Sequence, residues 1–383
     1  MNLHIANDNG NSEQDMFIGE TQVAQPNVFA RVPRLPNMDE VQPEAVLNDI
    51  HNNLTASVEG TIYYVGQRAL KSGLRCRSIE VGVDNDKVTS DIVYINTLAH
   101  IAGEAAALAS RNGEDLDHEI TVEADMATAL PVSYYSRSNA EQFAKRFTGK
   151  THHIIVYAGP REISVRLSFP FVKVIPEGVT AAHAFIRHPE LYDAYNAAHP
   201  EEPLSTDFMS RARVLHIAIG EGTTEFPITH DGLIFEPDFI TGTNNGNGHA
   251  IDRVIQEFKK VYGLLKFTRQ DYSNVLRDPS HRYHETAMAL LEPALEDEAE
   301  EILSMAKEVI LRANNEVDIV AVYGGGSILM RPALEDRLRT FCNRAGIRVL
   351  YIDEEYAVPL EAMGLHEFVE SDLFALLRSR AES

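Results

Sequence analysis

The stretch that decides the fold is "LHIAIGEGTTEF", residues 215–226. Its first residues are mostly apolar and read as a buried strand. The strand runs into Gly220-Glu221-Gly222-Thr223-Thr224-Glu225, after which Phe226 and Ile228 restart the apolar alternation. Closely spaced glycines between two strands expose successive backbone N–H groups, and two threonine hydroxyls stand beside them. Such a nest suits the oxygens of a phosphate chain. The same residues also suit a plain β-bulge hairpin.

Two other turns share this character. "LHIANDNGN" starts as a short strand, Leu3 to Ala6, and enters Asp8-Asn9-Gly10-Asn11-Ser12; "DMFIG" from Asp15 reads as the returning strand. Asn-Gly is also the commonest hairpin signal, so an ordinary hairpin tip is the competing interpretation. The third turn, Tyr323-Gly324-Gly325-Gly326-Ser327, follows the apolar strand Ile319 to Val322 and precedes a helix. Three glycines in a row strip the side chains from one patch of backbone, which suits a flat ring or a ribose; a simple strand-to-helix loop is the alternative. Neither the phosphate-loop pattern G-x-x-x-x-G-K-[ST] nor the dinucleotide pattern G-x-G-x-x-G occurs.

Around these turns the chain alternates strands and helices. Residues 27–43, punctuated by prolines, read as loop, and "GTIYYVGQRAL" and "RSIEVGV" read as strands. Asp91 to Ser110 carries apolar residues at helical spacing and reads as a buried helix. "EITVEADMATAL" is a strand ending near Leu130, and "SNAEQFAKRFTG" a helix capped by Ser138 and closed by Gly149. Strands follow at "HHIIVYAG" and "EISVRLSFPFVKVIPEG", with "VTAAHAFIRHPELYDAY" helical; residues 250–314 are helical with a break around 270–280. "RPALEDRLRTFC" is a helix with Pro332 near its start, "IRVLYI" a strand, and residues 360–380 a terminal helix. The pattern divides near residues 175–180 into two similar α/β halves.

Composition narrows the function. The chain has 383 residues, 44% hydrophobic and 24% charged, which is globular and long enough for two domains. A formal charge of -23 opposes direct binding to nucleic acid or to an anionic membrane surface. Two cysteines, Cys76 and Cys342, lack zinc or disulfide-scaffold spacing. With no basic-then-apolar leader and no long uninterrupted apolar run, the expectation is a cytoplasmic protein. His152, His153 and His216 have no metal spacing and read as packing or surface residues, and the acidic run at 295–303 as a solvated helix face.

The order of motifs resembles the actin and sugar-kinase superfamily, and within it the bacterial actin-like proteins of the plasmid-segregation, ParM-like kind. "IANDNGNS" matches a first phosphate loop, "IAIGEGTTEF" a second, "VYGGGSILMRPAL" an adenosine motif, and "VKVIPEGVTAA" and "YAVPLEAMGL" the two interdomain connections. The resemblance spans nearly the whole chain. It implies an actin-like ATPase fold of two α/β domains, residues 1–176 plus 353–383 and residues 177–352, with ATP or GTP and Mg²⁺ between them. It also implies a polar filament of the chain with itself and an adaptor protein bound to plasmid DNA.

Residue by residue, the resemblance makes Asp8 the carboxylate that holds a water of the nucleotide-bound magnesium, and Glu177 the group that orients or deprotonates the attacking water. Asn9, Gly10, Asn11 and Ser12 would contact phosphate, as would Gly220, Glu221, Gly222, Thr223 and Thr224; Gly324, Gly325, Gly326 and Ser327 would contact the nucleoside. Two positions depart from the pattern. The second loop usually begins with an aspartate that serves the metal, and Ala218 stands there, so Glu221 becomes the substitute carboxylate. The lysine that often follows the first turn is replaced by Glu13, Gln14 and Asp15, and no lysine precedes Lys71. Nucleotide binding should therefore depend strongly on a divalent ion, and hydrolysis should be slow. Gly246 and Gly248, in "GTNNGNGH", either approach the nucleotide or belong to a surface loop. Two other functions fit the same scaffold: a small-molecule kinase or phosphatase, and a non-hydrolysing scaffold protein.

Overall fold

The computed structural model describes residues 1–79, 87–231, 234–239, 241–243 and 246–381. The strand expected at 77–83 therefore lies partly outside the described residues, as do Asn244 and Asn245 of the loop 242–249.

The chain folds into two compact units. The first holds Met1–Leu130, Tyr134–Ile175 and Leu365–Ser383, and the second holds Pro131–Ser133 and Pro176–Gly364. The return to the first unit thus comes at Leu365 rather than at 353. The reason is packing: Ala357 and Leu360 are buried in the second unit's core with Ala181 and Phe185.

In chain order the first unit contains β1 (Asn2–Asn9), β2 (Glu13–Ile18), β3 (Thr21–Pro26), β4 (Val28–Arg31), α1 (Pro43–Asn48), β5 (Thr55–Val58), β6 (Thr61–Val65) and α2 (Gln67–Lys71). It continues with β7 (Cys76–Ser78), α3 (Asp91–Arg111), β8 (Ile120–Leu130), α4 (Arg137–Lys145), β9 (Thr151–Ala158), β10 (Arg161–Ser168) and β11 (Val172–Pro176). The strands form one sheet in the order β3-β2-β1-β8-β10-β9-β5-β6-β4-β7, with β11 also on β8. β1 and β8 are parallel, and β1 and β2 form an antiparallel hairpin. α3 packs against this sheet through an almost unbroken run of buried residues. It is long and apolar enough to cross a bilayer, but 89% of its apolar window is buried in the unit.

The second unit contains α5 (Thr180–Phe185), α6 (Asp193–Ala198), α7 (Thr206–Met209), β12 (Val214–Ile219), β13 (Thr224–Glu225), β14 (Ile228–His230), β15 (Ile234–Phe235), β16 (Gly242–Thr243), α8 (Asn247–Tyr262) and α9 (Arg269–Arg277). Then come α10 (His284–Arg312), β17 (Ile319–Tyr323), α11 (Gly325–Arg344), β18 (Arg348–Tyr351), α12 (Glu354–Ala357) and α13 (Leu360–Val369), whose end belongs to the first unit together with α14 (Asp372–Ala381). β12, β17 and β18 are parallel neighbours. Every residue of β12 and β17 is buried, as expected of parallel strands covered on both faces: one apolar cluster gathers α8, α9, α10 and α11 on one side, another gathers α5 and its neighbours on the other.

Several local expectations change. Residues 28–31 are a strand inside the proline-punctuated stretch, because Phe29 and Ala30 pair with β6 and are wholly buried. "QRALK" is helix rather than strand. The cap of α4 is Ser136, whose hydroxyl accepts from Asn139 N, not Ser138. α11 begins at Gly325, so Pro332 lies inside it. The terminal helix is two, broken at Glu370-Ser371.

Candidate functional site

Both glycine turns open at the carboxyl end of a strand that has a parallel neighbour, the place where α/β sheets bind ligands. Each is described within its own unit.

In the first unit Asp8 pairs directly with Asp15 across the hairpin, and Asn9 with Gln14. Asn7 and Asn9 point to one face, towards α3, where both are buried. The Asn7 amide donates to Thr97 Oγ1 at 2.9 Å, Gln14 Nε2 donates to Asn7 Oδ1 at 2.9 Å, and Thr97 donates to Val93 O at 2.7 Å. Asp8 takes the opposite face and is only half-buried. The turn itself is held by Asn27: its Nδ2 donates to Gly10 O at 2.8 Å and its backbone N to Ser12 O at 2.9 Å. Asn96 of α3 fixes Asn27 through a 2.8 Å bond to Oδ1. Peptides are planar and trans, so carbonyls drawn towards Asn27 turn the following N–H groups, those of Asn11 and Glu13, the other way. A Cβ at Gly10 would lie 2.5 Å from Glu13 O, so the tight turn demands glycine there.

The second turn has the same polarity by different means. Gly220 N donates to Thr223 O at 2.9 Å, closing the turn. Asn247 N donates to Gly220 O at 3.3 Å, Gly248 N to Glu221 O at 2.8 Å, and His249 Nε2 meets Gly222 O at 3.1 Å. Three successive carbonyls thus face the start of α8, and the N–H groups of Glu221, Gly222 and Thr223 face away from it. The helix comes this near only because Gly246 and Gly248 have no side chains: a Cβ on either would collide with Glu221 O. Gly246 and Gly248 are therefore packing residues that back the turn. Glu221 has a side chain only 12% exposed, with Arg269 Nη1 3.8 Å from its carboxylate. It joins the turn to α9.

Ala218 is buried and lies directly opposite Glu225. The Glu225 carboxylate, 2% exposed as a residue, rests on Gly242 of β16. Reading the loop as a linear motif missed this carboxylate, because only strand pairing puts residues 218 and 225 side by side. Among the described residues no group of three or more His, Cys, Asp or Glu is arranged to hold a metal on its own. The oxygen donors present, Asp8 and Asp15 in one unit and Glu225 in the other, are of the hard type that Mg²⁺ takes alongside water and phosphate.

The triple-glycine turn lies beside the second turn, since Ala218 of β12 pairs with Tyr323 of β17. Gly324 has φ +90°, and a Cβ there would sit 2.5 Å from Ile219 O; one on Gly326 would sit 2.6 Å from Ile219 Cγ2. Two of the three glycines thus let β12 and α11 touch. Gly325 alone has open space, with its nearest neighbour, Val358 Cγ2, at 3.8 Å. Ser327 is wholly buried, and its hydroxyl donates to Gly324 O at 2.8 Å. It closes the first turn of α11 rather than facing outward.

Glu177 is half-buried beside Gly178, which is pinned from two sides. Tyr323 Oη donates to Gly178 O at 2.8 Å, and Gly178 N donates to Glu361 Oε2 at 2.9 Å. Thr180 Oγ1 donates to the same Glu361 oxygen at 2.5 Å. Tyr323 Oη also meets His216 Nδ1 at 3.1 Å, with Thr229 Oγ1 on the other ring nitrogen at 2.8 Å. Complete burial pushes the His216 pKa down to about 3, so the ring is neutral. His216 and His152 are packing residues, as the sequence suggests; His152 is buried between Tyr94 Oη at 3.0 Å and Phe147 O at 2.8 Å. Of the acidic run, Glu296, Asp297, Glu300 and Glu301 are exposed, but Glu298 is buried and pairs with Arg253 at 2.7 Å.

Residues 6–179 match the family described as "Actin like proteins N terminal domain". No curated protein sequence matches the chain. Among solved structures, the actin-like protein Alp7A aligns over 100% of both chains with a TM-score of 0.70 and 16% identity. Ta0583, an archaeal actin homolog in complex with ADP, covers 95% of this chain and 97% of its own with a TM-score of 0.63 and 15% identity. Bacillus thuringiensis ParM with ATP covers 98% of this chain and 99% of its own with a TM-score of 0.60 and 16% identity. The chain therefore has the actin-like fold shared by Alp7A, ParM and archaeal actin homologues, and its residues 6–179 are similar to the N-terminal domain of actin-like proteins.

Proposed function

We propose that the chain is a nucleotide-dependent, filament-forming actin homologue that acts in plasmid or DNA segregation through an adaptor protein in the cytoplasm. The observation that carries the nucleotide reading is the shared polarity of the two turns. In both, the carbonyls are held from behind and the amides of Asn11 and of Glu221, Gly222 and Thr223 are turned away, which makes an anion nest without a lysine. The fold's likeness to ParM with ATP and to an archaeal homologue with ADP supports a nucleoside triphosphate as the ligand.

Magnesium would supply the positive charge that the first loop lacks, with Asp8 beside it. Glu225, which pairs across from Ala218, would be the carboxylate that serves the second loop in place of the missing aspartate. Glu177 would position water near the terminal phosphate, its backbone fixed by the anchoring of Gly178. The connections at 174–179 and 358–364 are the proposed hinges. Titration calorimetry with ATP or GTP, with and without Mg²⁺, tests the reading: saturable binding of one nucleotide that collapses on chelation is expected, and no binding under either condition overturns it. Electron microscopy of the same samples tests the filament, and phosphate release distinguishes a slow ATPase from a non-hydrolysing scaffold. The scaffold reading is favoured by one observation, Ala218 in place of a metal-serving acid.

A further inference from the structure

The corner between α8 and α9 combines lysines with the most exposed of the large apolar side chains among the described residues. Leu265 is 93% exposed and Val261 56% exposed. Residues 259–268, which make the corner, hold three Lys and no acid in a chain of -23. Among the described residues Lys260 and Lys266, which flank the two apolar side chains, are exposed and join no ion pair.

The corner is rigid. Gly263 ends α8 with φ +64°, and Leu264 N donates back to Lys259 O at 2.9 Å, the left-handed closure that fixes a helix end. Thr268 and Asp271 form a capping box that starts α9. Below the turn the Tyr262 ring packs against Tyr283 at a tilt of 36° with centroids 4.0 Å apart, and Tyr262 Oη donates to Thr286 Oγ1 at 2.7 Å. Leu264 and Phe267 pack inward against this cluster, so the turn holds Leu265 outward by geometry.

We propose that this corner is a docking knob that binds a second copy of the chain, an inference that rests on the filament reading above. Apolar side chains framed by lysines suit an acidic protein surface with apolar area at its centre, and outside this segment the chain's own charge is strongly negative. A nucleic-acid phosphate needs only the cations, and the field of the whole chain repels a polyanion. A patch of lysines also repels itself across a two-fold axis. The contact must then be heterologous, joining the knob of one copy to a different surface of the next, and such contacts propagate as open assemblies unless they close into a ring.

The test is pelleting of the full chain with ATP and Mg²⁺ across a concentration series, for wild type, for Leu265→Asp and for the double variant Lys260→Glu/Lys266→Glu. At least a tenfold rise in critical concentration is expected for both variants, with unchanged ATP affinity and thermal midpoint. Assembly of the wild type should weaken as salt rises. Variants that assemble at the wild-type concentration overturn the knob and leave the filament reading standing, whereas a wild type that never assembles overturns both. Variants that assemble normally but lose retention on a DNA duplex assign the corner to nucleic acid and likewise overturn the proposal.

Discussion

The two glycine turns reach the same backbone polarity through different parts of the chain. In the first unit the support comes largely from side chains, with Asn27 gripping Gly10 O and Asn96 gripping Asn27. In the second it comes mainly from the backbone, with the first amides of α8 gripping Gly220 O and Glu221 O. A side-chain support fails by losing a hydrogen bond; a backbone support fails by steric expulsion of a helix. The second should therefore be the more brittle to small changes and the first the more tolerant.

The largest expected effect is that of Gly246→Val. The new Cβ collides with Glu221 O and lies 2.8 Å from Gly220 O, both backbone atoms that cannot step aside. Denaturant unfolding should show a loss of about 3 kcal/mol or more, and nucleotide binding should disappear. If Gly246→Val leaves both unchanged, α8 does not hold the turn.

Asn27→Ala should cost less, about 2 kcal/mol, because it removes two side-chain hydrogen bonds and leaves the Asn96 amide and Gly10 O without their partner, but introduces no clash. Nucleotide affinity should fall more than stability does, since the turn persists but its amides are no longer aimed. Equal losses in the two variants would erase the distinction between the turns.

Acid should weaken both units through imidazoles kept neutral by burial. His216 is pushed down to about 3 and His183 to about 4 in the second unit, and His100 is held well below its usual range in the first. Below about pH 6.5 the unfolded chain takes up protons at these sites and the folded chain does not. Stability then rises with pH through this range, and is lost on acidification at about 1 kcal/mol per pH unit per histidine. Thermal unfolding of His216→Gln between pH 5 and 7 should show a shallower slope than the wild type.

The smallest effect is expected for Arg269→Ala. It removes the 3.8 Å contact with Glu221 and the pair with Asp252, and partly exposed pairs of this kind contribute about 0.5 kcal/mol. A larger loss of nucleotide affinity than of stability would show that Glu221 and Arg269 set the shape of the turn.

Much of the fold was legible because its signals are local. β17 is a continuous apolar run, β12 is apolar but for His216, both end in glycine as buried parallel strands do, and α3 shows its helical period plainly. The misread elements were those in which context overrides propensity. Residues 28–31 pair with β6 despite the prolines that follow, and α11 starts at glycines that intrinsic preference would exclude, because Gly324 and Gly326 are needed for contact with Ile219. In the candidate site, the turns could be read as linear motifs, but the function of their neighbours could not. Asn27, Asn96, Tyr323 and Glu361 act across separations of 17 to 183 residues.

By itself the sequence determined where strands end in glycine turns, that two α/β halves repeat the arrangement, and that the chain is strongly acidic, since each follows from residue type and spacing along the chain. Only the tertiary structure decided that Gly246 and Gly248 back a turn and that Glu225 stands opposite Ala218. These depend on which backbones approach one another, and strand register and helix packing fix that distance through contacts that no local stretch of sequence contains.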